Sequence, residues 1–325
     1  MSDLISIVVP VYKEEGIIKE FMNRLEQAIK PTGHDYEVIF CLDPSPDQTE
    51  QVILEEIKRN EKIRLIVFSR RFGQPAASLA GIYSARGRAV VVIDVDLQDP
   101  PELIPEMIAK WQQGDDVVYA KRRSRKGETF IKEWVSYLGY RVINKFSEVS
   151  IPSDTGDFRL MSRRVVEKLK ILKEQHGFLR GLVAFVGYKQ SFIEYDRAER
   201  TYGQGHYNPY LGSLKIGLNG LVSFSSRPLQ LVSLAGTCIA FFGFLLALWY
   251  LMQKWILHTD LTPGLSTTVV VVTFFSGVQL LSLGLIGEYI GRIYDEVKGR
   301  PLYIIEKEVK WNDQGILVEE SKGTE

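Results

Sequence analysis

Residues 89–101 read AVVVIDVDLQDPP. The first five are apolar and mostly β-branched, the composition of a strand buried on both faces. Two carboxylates then arrive one residue apart, followed by an amide, a third acid and two prolines. A core strand ending in acids that repel each other needs a reason, and the flanking pattern supplies a frame for it. LISIVVPVY (4–12), YEVIFCL (36–42), IRLIVFS (63–69), AVVVID (89–94) and DVVYA (116–120) read as strands. Between them, EEGIIKEFMNRLEQAI (14–29), DQTEQVILEEIKR (47–59), PAASLAGIYSA (75–85) and PELIPEMIAKWQQ (101–113) read as helices. Apolar strands separated by helices of this length predict an α/β fold with a mostly parallel sheet covered on both faces.

In such sheets ligands bind beyond the carboxyl ends of the strands. The residues there are Pro10, Tyr12 and Glu14, then Asp43, Ser45 and Asp47, then Ser69, Arg70 and Arg71, and finally Asp94, Asp96 and Gln98. The chain has no Gly-x-Gly-x-x-Gly and no Gly-x-x-x-x-Gly-Lys-Ser/Thr loop, so phosphates are not cradled by a glycine-rich turn. A hard divalent cation, Mg2+ or Mn2+, does the same work with oxygen ligands. On an extended backbone Asp94, Asp96 and Gln98 share one face, and a cation there relieves the mutual repulsion of the two acids. The four histidines, His34, His176, His206 and His258, have no metal-ligand spacing, and no Gly-x-Ser-x-Gly elbow indicates a hydrolase.

The 325 residues balance 40 basic against 40 acidic side chains, so no global field draws the protein to nucleic acid. The two cysteines, Cys41 and Cys238, fit a reducing compartment, and MSDLISIVVPVYKEE lacks a signal peptide's basic start. Composition changes near residue 228. No charge occurs from Leu229 to Gln253, nor from Leu261 to Gly287. Either run can cross a hydrocarbon core of about 30 Å at about 1.5 Å per residue. Two transmembrane helices are expected, at about 229–253 and 264–288, within a 229–290 membrane unit. Lys215, Arg227, Arg292, Lys298 and Arg300 flank the runs while the link carries Lys254, so positive-inside counting places residues 1–228, the 291–325 tail and both termini in the cytoplasm. The expected location is the inner (plasma) membrane, multi-pass. Gly287-x-x-x-Gly291 points to homo-oligomers through these helices. Segments at about 128–147 and 209–224 mix aromatic, aliphatic and basic residues as interfacial amphipathic helices do.

VVPVYKEE (8–15), DPSPDQT (43–49), VIDVDLQDPPELIP (92–105), DTGDFRLMSRRVV (154–166) and RTYGQGHYNPYLGSLKIGLNGLVSFSSRPL (200–229) together resemble polyprenyl-phosphate glycosyltransferases of the GT-A, family 2 type. The likeness runs over roughly residues 4 to 300 and includes bactoprenol glucosyltransferases and dolichyl-phosphate mannose synthases. It implies a GT-A nucleotide-sugar-binding domain at 1–228. It further implies that Pro10, Tyr12, Glu14, Asp43 and Asp94 hold the nucleotide sugar, and that Asp94, Asp96 and Gln98 bind the metal. Arg122, Lys132 and Arg200 are implied to contact phosphates, and Asp157, with Asp96, to be the catalytic carboxylates. Leu42 and Pro44 depart from the family's acid and glycine, and Gly205-His206 from its Ser-Lys. The implied reaction is inverting transfer of one sugar, glucose from UDP-glucose, to a membrane polyprenyl phosphate. Mannose, galactose, N-acetylglucosamine and aminoarabinose donors are the alternatives. A processive polysaccharide synthase lacks support, because no Gln-x-x-Arg-Trp segment occurs.

Overall fold

A computed structural model describes residues 3–123, 155–172, 174, 179–196, 227–255, 264–312 and 317–321. Strands β1 (Leu4–Val11), β2 (Asp35–Leu42), β3 (Ile63–Phe68) and β4 (Ala89–Val92) alternate with helices α1 (Ile18–Ile29), α2 (Thr49–Arg59) and α3 (Gln74–Ser84). Then come α4 (Ile104–Gln112), β5 (Val117–Arg122), β6 (Thr155–Ser162), α5 (Arg163–Ile171), α6 (Leu179–Val186) and β7 (Gln190–Tyr195). Two long helices, α7 (Arg227–Trp255) and α8 (Leu265–Lys298), precede β8 (Ile305–Trp311) and β9 (Leu317–Ser321). The strands form one sheet in the order β7-β5-β6-β4-β1-β2-β3-β8-β9.

Its centre, β4-β1-β2-β3, is parallel, as the strand–helix alternation predicts. Both flanks bring antiparallel pairings: β6 lies antiparallel to β4 and β5, and β8 antiparallel to β3 and β9. Side chains alternate between two cores. Ile5, Ile7, Val9, Phe40 and Leu65 pack with Phe21, Leu25, Ile53 and Met107 on the α1, α2 and α4 side. Val8, Ile39, Cys41, Ile66 and Val92 pack with Leu79, Ala80, Val166 and Leu182 on the α3, α5 and α6 side. Helix α3 comes so close that a Cβ on Gly81 would lie 2.3 Å from a Val8 methyl and 2.8 Å from the Cys41 sulfur.

Three differences from the sequence reading bear on the site. Strand β4 stops at Val92; Ile93 adds one more rung by donating to the Val8 carbonyl at 3.0 Å, and the chain then turns. Asp94, Asp96 and Gln98 therefore do not share a strand face by period two. They lie on a turn in which buried Leu97 takes a left-handed φ of 57°. Second, the 291–325 segment is more than a tail. Its residues 305–311 and 317–321 extend the central sheet beyond β3. Third, β8 carries Glu308 to Arg64 at 2.6 Å, and Arg64 reaches Glu37 at 2.8 Å, all three nearly buried. Trp311 donates its indole N–H to the Ile57 carbonyl at 2.8 Å, fastening the strand to α2.

Among the described residues one helical segment is long and apolar enough to cross a membrane, Phe274–Lys298 in α8. A shorter apolar stretch, Leu229–Gly243, lies in α7. Phe274, Leu280, Leu281, Ile290 and Val297 are exposed, with no protein cover. The segments expected at 128–147 and 209–224 lie outside the described residues.

Candidate active site

The loops leaving β1, β2, β3 and β4 are tied to one another by their own polar groups. Pro10 is buried in β1, pairing with Cys41 of β2. Its missing N–H faces the side that β4 has already left, since Ile93 makes the last rung two residues earlier at Val8. Beyond it, Lys13 donates its backbone N–H to the Ser45 hydroxyl (2.9 Å) and Glu14 to that of Thr49 (3.0 Å). The Asp47 carboxylate accepts from the Thr49 hydroxyl at 2.7 Å and from the Thr49 backbone N–H at 3.3 Å, just ahead of α2. The Tyr12 ring is covered by the Arg71 guanidinium at 4.0 Å, leaving a flat, cationic stack at the mouth.

Asp43 is buried, and its two oxygens accept the backbone N–H groups of Phe72 (3.0 Å) and Gly73 (2.9 Å). It thereby fixes the turn into α3, where Gly73 has a φ of 90°. That turn delivers Gln74, whose side-chain amide donates to Asp94 at 2.7 Å. Asp96 is buried and accepts from the backbone N–H of Gln98 at 3.1 Å, closing the turn on itself. Asp99, also buried, accepts from the Tyr195 hydroxyl, and Arg122 stands 3.8 Å away.

Asp157 enters from β6. Its Oδ1 accepts from Arg180 Nε (2.9 Å) and Arg159 Nη2 (3.2 Å), and its Oδ2 from Arg180 Nη2 (3.3 Å). Arg122 crosses above the neighbouring Gly156, where a Cβ would sit 2.9 Å from its Nη2. The two carboxylates titrate in opposite directions. Burial first, then the charges of Asp157, Asp99 and Asp96, push Asp94 up to about 8, with the Gln74 hydrogen bond opposing. Burial alone would raise Asp157 as well. The charge and hydrogen bonds of Arg180, then the charges of Arg159 and Arg122, outweigh it and hold the carboxyl at about 2. One acid is thus ion-paired; the other faces further negative charge.

A hard cation fits that donor set. Asp94 and Asp96 offer carboxylate oxygens and Gln98 an amide oxygen, all from one turn, and a cation removes the repulsion that raises Asp94. Among the described residues no three acidic, histidine or cysteine side chains converge to enclose a metal. A cation here would fill its shell from diphosphate oxygens and water, the ordinary habit of Mg2+.

The structure places Pro10, Tyr12, Glu14, Asp43, Asp94, Asp96 and Gln98 at or just beyond the carboxyl ends of the parallel strands. Arg122 and Asp157 come from the antiparallel flank and share the charge cluster with Asp94. Lys132 and Arg200 lie outside the described residues. Gln74, Asp99, Arg159, Arg180 and Tyr195 were not singled out as site residues. Asp99 stood within the opening stretch and Arg159 lies two residues from Asp157, but Gln74, Arg180 and Tyr195 find their partners over sequence separations of 20, 23 and 96 that no local pattern carries.

Residues 6–170, half of the chain, match the family described as "Glycosyl transferase family 2". The chain belongs to that family. A Bacillus subtilis relative described as uncharacterized glycosyltransferase YkcC is 48% identical over 303 residues, covering 93% of each chain. A Synechocystis relative, uncharacterized glycosyltransferase sll0501, is 43% identical, covering 93% of this chain and 94% of that one. The bactoprenol glucosyl transferase of Shigella phage SfII is 40% identical over 308 residues, covering 95% of this chain and 99% of that one. The protein is a glycosyltransferase on a GT-A-like α/β fold, with its candidate site where that fold's parallel strands end.

Proposed function

We propose that this glycosyltransferase moves a single glucose, with inversion, from UDP-glucose to the phosphate of a membrane polyprenyl lipid at the cytoplasmic face. The observation that carries the reading is the pairing of two unlike carboxylates: Asp94, left among negative charge, and Asp157, clamped by arginines. The first makes a place for a cation and the diphosphate of a donor. The second belongs to a cationic flank suited to an acceptor phosphate. The naming of the SfII phage relative as a bactoprenol glucosyl transferase supports both the lipid and the sugar.

Pro10, Tyr12, Glu14 and Asp43 would line the nucleotide, with Asp43 acting through the turn it holds. Asp94, Asp96 and Gln98 would hold Mg2+ or Mn2+, which when bound stabilises the departing diphosphate electrostatically. In the reaction a phosphate oxygen of the acceptor bonds to the anomeric carbon as the bond from that carbon to the diphosphate breaks. A phosphate monoester has a second pKa of about 6, so most of the acceptor is already dianionic at neutral pH. A carboxylate held at about 2 is a poor proton acceptor, and Asp157 is assigned to orientation, with Arg122, Lys132 and Arg200 meeting the phosphates.

The membrane arrangement has its own support. Strand β8 pairs with β3, so residue 305 lies on the same side of a membrane as the catalytic sheet. Any crossings between residues 196 and 305 would then be even in number, and α7, with its shorter apolar stretch, would have to pair with α8 to make two. Purified full-length protein, supplied with polyprenyl phosphate and a panel of labelled nucleotide sugars, tests the whole reading. Labelled lipid is expected from UDP-glucose with one sugar per lipid, and chelation should abolish it. Transfer from a different nucleotide sugar only, a polymeric product, or full turnover in excess EDTA would each overturn the corresponding part.

A further inference from the structure

The Asp157 carboxylate is held from two sides by guanidinium groups that make different kinds of contact. Arg159, fully buried on β6, donates mainly to backbone: its Nη2 to the Gly156 carbonyl at 3.0 Å and its Nε to the Asp157 carbonyl at 3.2 Å. It braces the strand end. Arg180 instead spends Nε and Nη2 on the two carboxylate oxygens, a forked contact that fixes the plane of the group as well as its position. Its backbone is anchored by α6, where Leu179, Leu182 and Val183 are buried against the core beneath α5. The fork therefore comes from a packed helix instead of a loose loop.

We propose that Arg180 is a positioning residue for glycosyl transfer, acting through Asp157 by setting the orientation of its carboxylate in the acceptor half of the site. The proposal rests on the assignment of Asp157 to that half. Lysine in place of Arg180 keeps the charge but cannot fork, so charge and geometry are separable.

Four full-length proteins in nanodiscs decide it: Asp157→Asn, Arg180→Gln, Arg180→Lys and the double variant Asp157→Asn with Arg180→Gln. Each is assayed with whichever nucleotide sugar the wild type accepts, so a wrong sugar assignment defeats the donor proposal and leaves this test standing. Arg180→Gln is expected to lower kcat by about tenfold or more while the donor KM stays within about twofold, the pattern of a lost transition-state interaction. Arg180→Lys should recover only part of the loss. The double variant should turn over no more slowly than Asp157→Asn alone, because a residue acting through Asp157 has nothing left to position. Multiplying losses in the double variant would overturn the proposal. So would a lower melting temperature with kcat unchanged, or an Asp157→Asn enzyme that keeps wild-type turnover. That last result would leave the donor assignment intact.

Discussion

Asp94 feels the charge of Asp157 and is pushed up to about 8, while Asp157, among arginines, is held at about 2. In an unfolded chain both return to the ordinary carboxylate range near 4. Between roughly pH 4 and pH 8 the folded protein therefore binds more protons at Asp94 than the unfolded chain, and this residue's contribution to stability falls as pH rises through that window. Asp94→Asn should consequently raise the Tm of metal-free protein at pH 8 by a few degrees and leave it unchanged near pH 4, read by scanning fluorimetry. The same variant should lose the stabilisation that UDP with Mn2+ gives the wild type. A lower Tm for the variant at pH 8 would contradict the charge assignment. Asp157 runs the other way: its stabilising effect is present above about pH 4 and lost as pH falls toward 2. For turnover at pH 8, Asp157→Asn is expected to cost less than Asp94→Ala, because the acceptor already carries its charge. Equal losses would restore Asp157 to the role of a base.

At the scale of elements, the parallel centre was legible because its strands are mostly apolar, with only a few polar residues such as Glu37 and Arg64, and its helices keep a 3.6-residue period. The tip of β4 was misjudged for a physical reason. Alternation holds only while the strand is paired, and β4 loses its partners after Ile93. The C-terminal strands escaped for another. Ile305–Trp311 reads IEKEVKW, a charged alternation suited to the outer part of a sheet but equally suited to a solvated segment after a membrane helix. Only the fold brings Glu308 to Arg64. That link has a measurable consequence. Glu308→Ala leaves the nearly buried Arg64 with one carboxylate in place of two and should destabilise the domain by about 3 kcal/mol, the usual order for breaking a buried pair. Denaturant melts of the full chain would show it; a change below about 0.5 kcal/mol would mean that the pair is dispensable. Likewise Gly81→Ala should cost about 1–3 kcal/mol by pushing α3 off the sheet.

For the molecule as a whole, the sheet and the long helices constrain each other. If α7 and α8 each cross the membrane as proposed, residue 319, in the strand paired with β8, and position 259, between the two helices in sequence, are expected on opposite sides. In a Cys238→Ser background, a cysteine replacing Glu319 should react with an impermeant maleimide only in inverted vesicles. One replacing Thr259 should react only in right-side-out vesicles. Labelling of both from one side would remove the hairpin.

The order in which the chain is made gives the β3–β8 pairing a further meaning. A ribosome delivers the two long helices before it delivers the last strands, so the sheet stays unfinished, with Arg64 short of one partner, until residues 305–321 have emerged. Completion of the sheet thus waits on everything between residues 228 and 305: cutting after residue 228 would remove structural strands along with the two long helices.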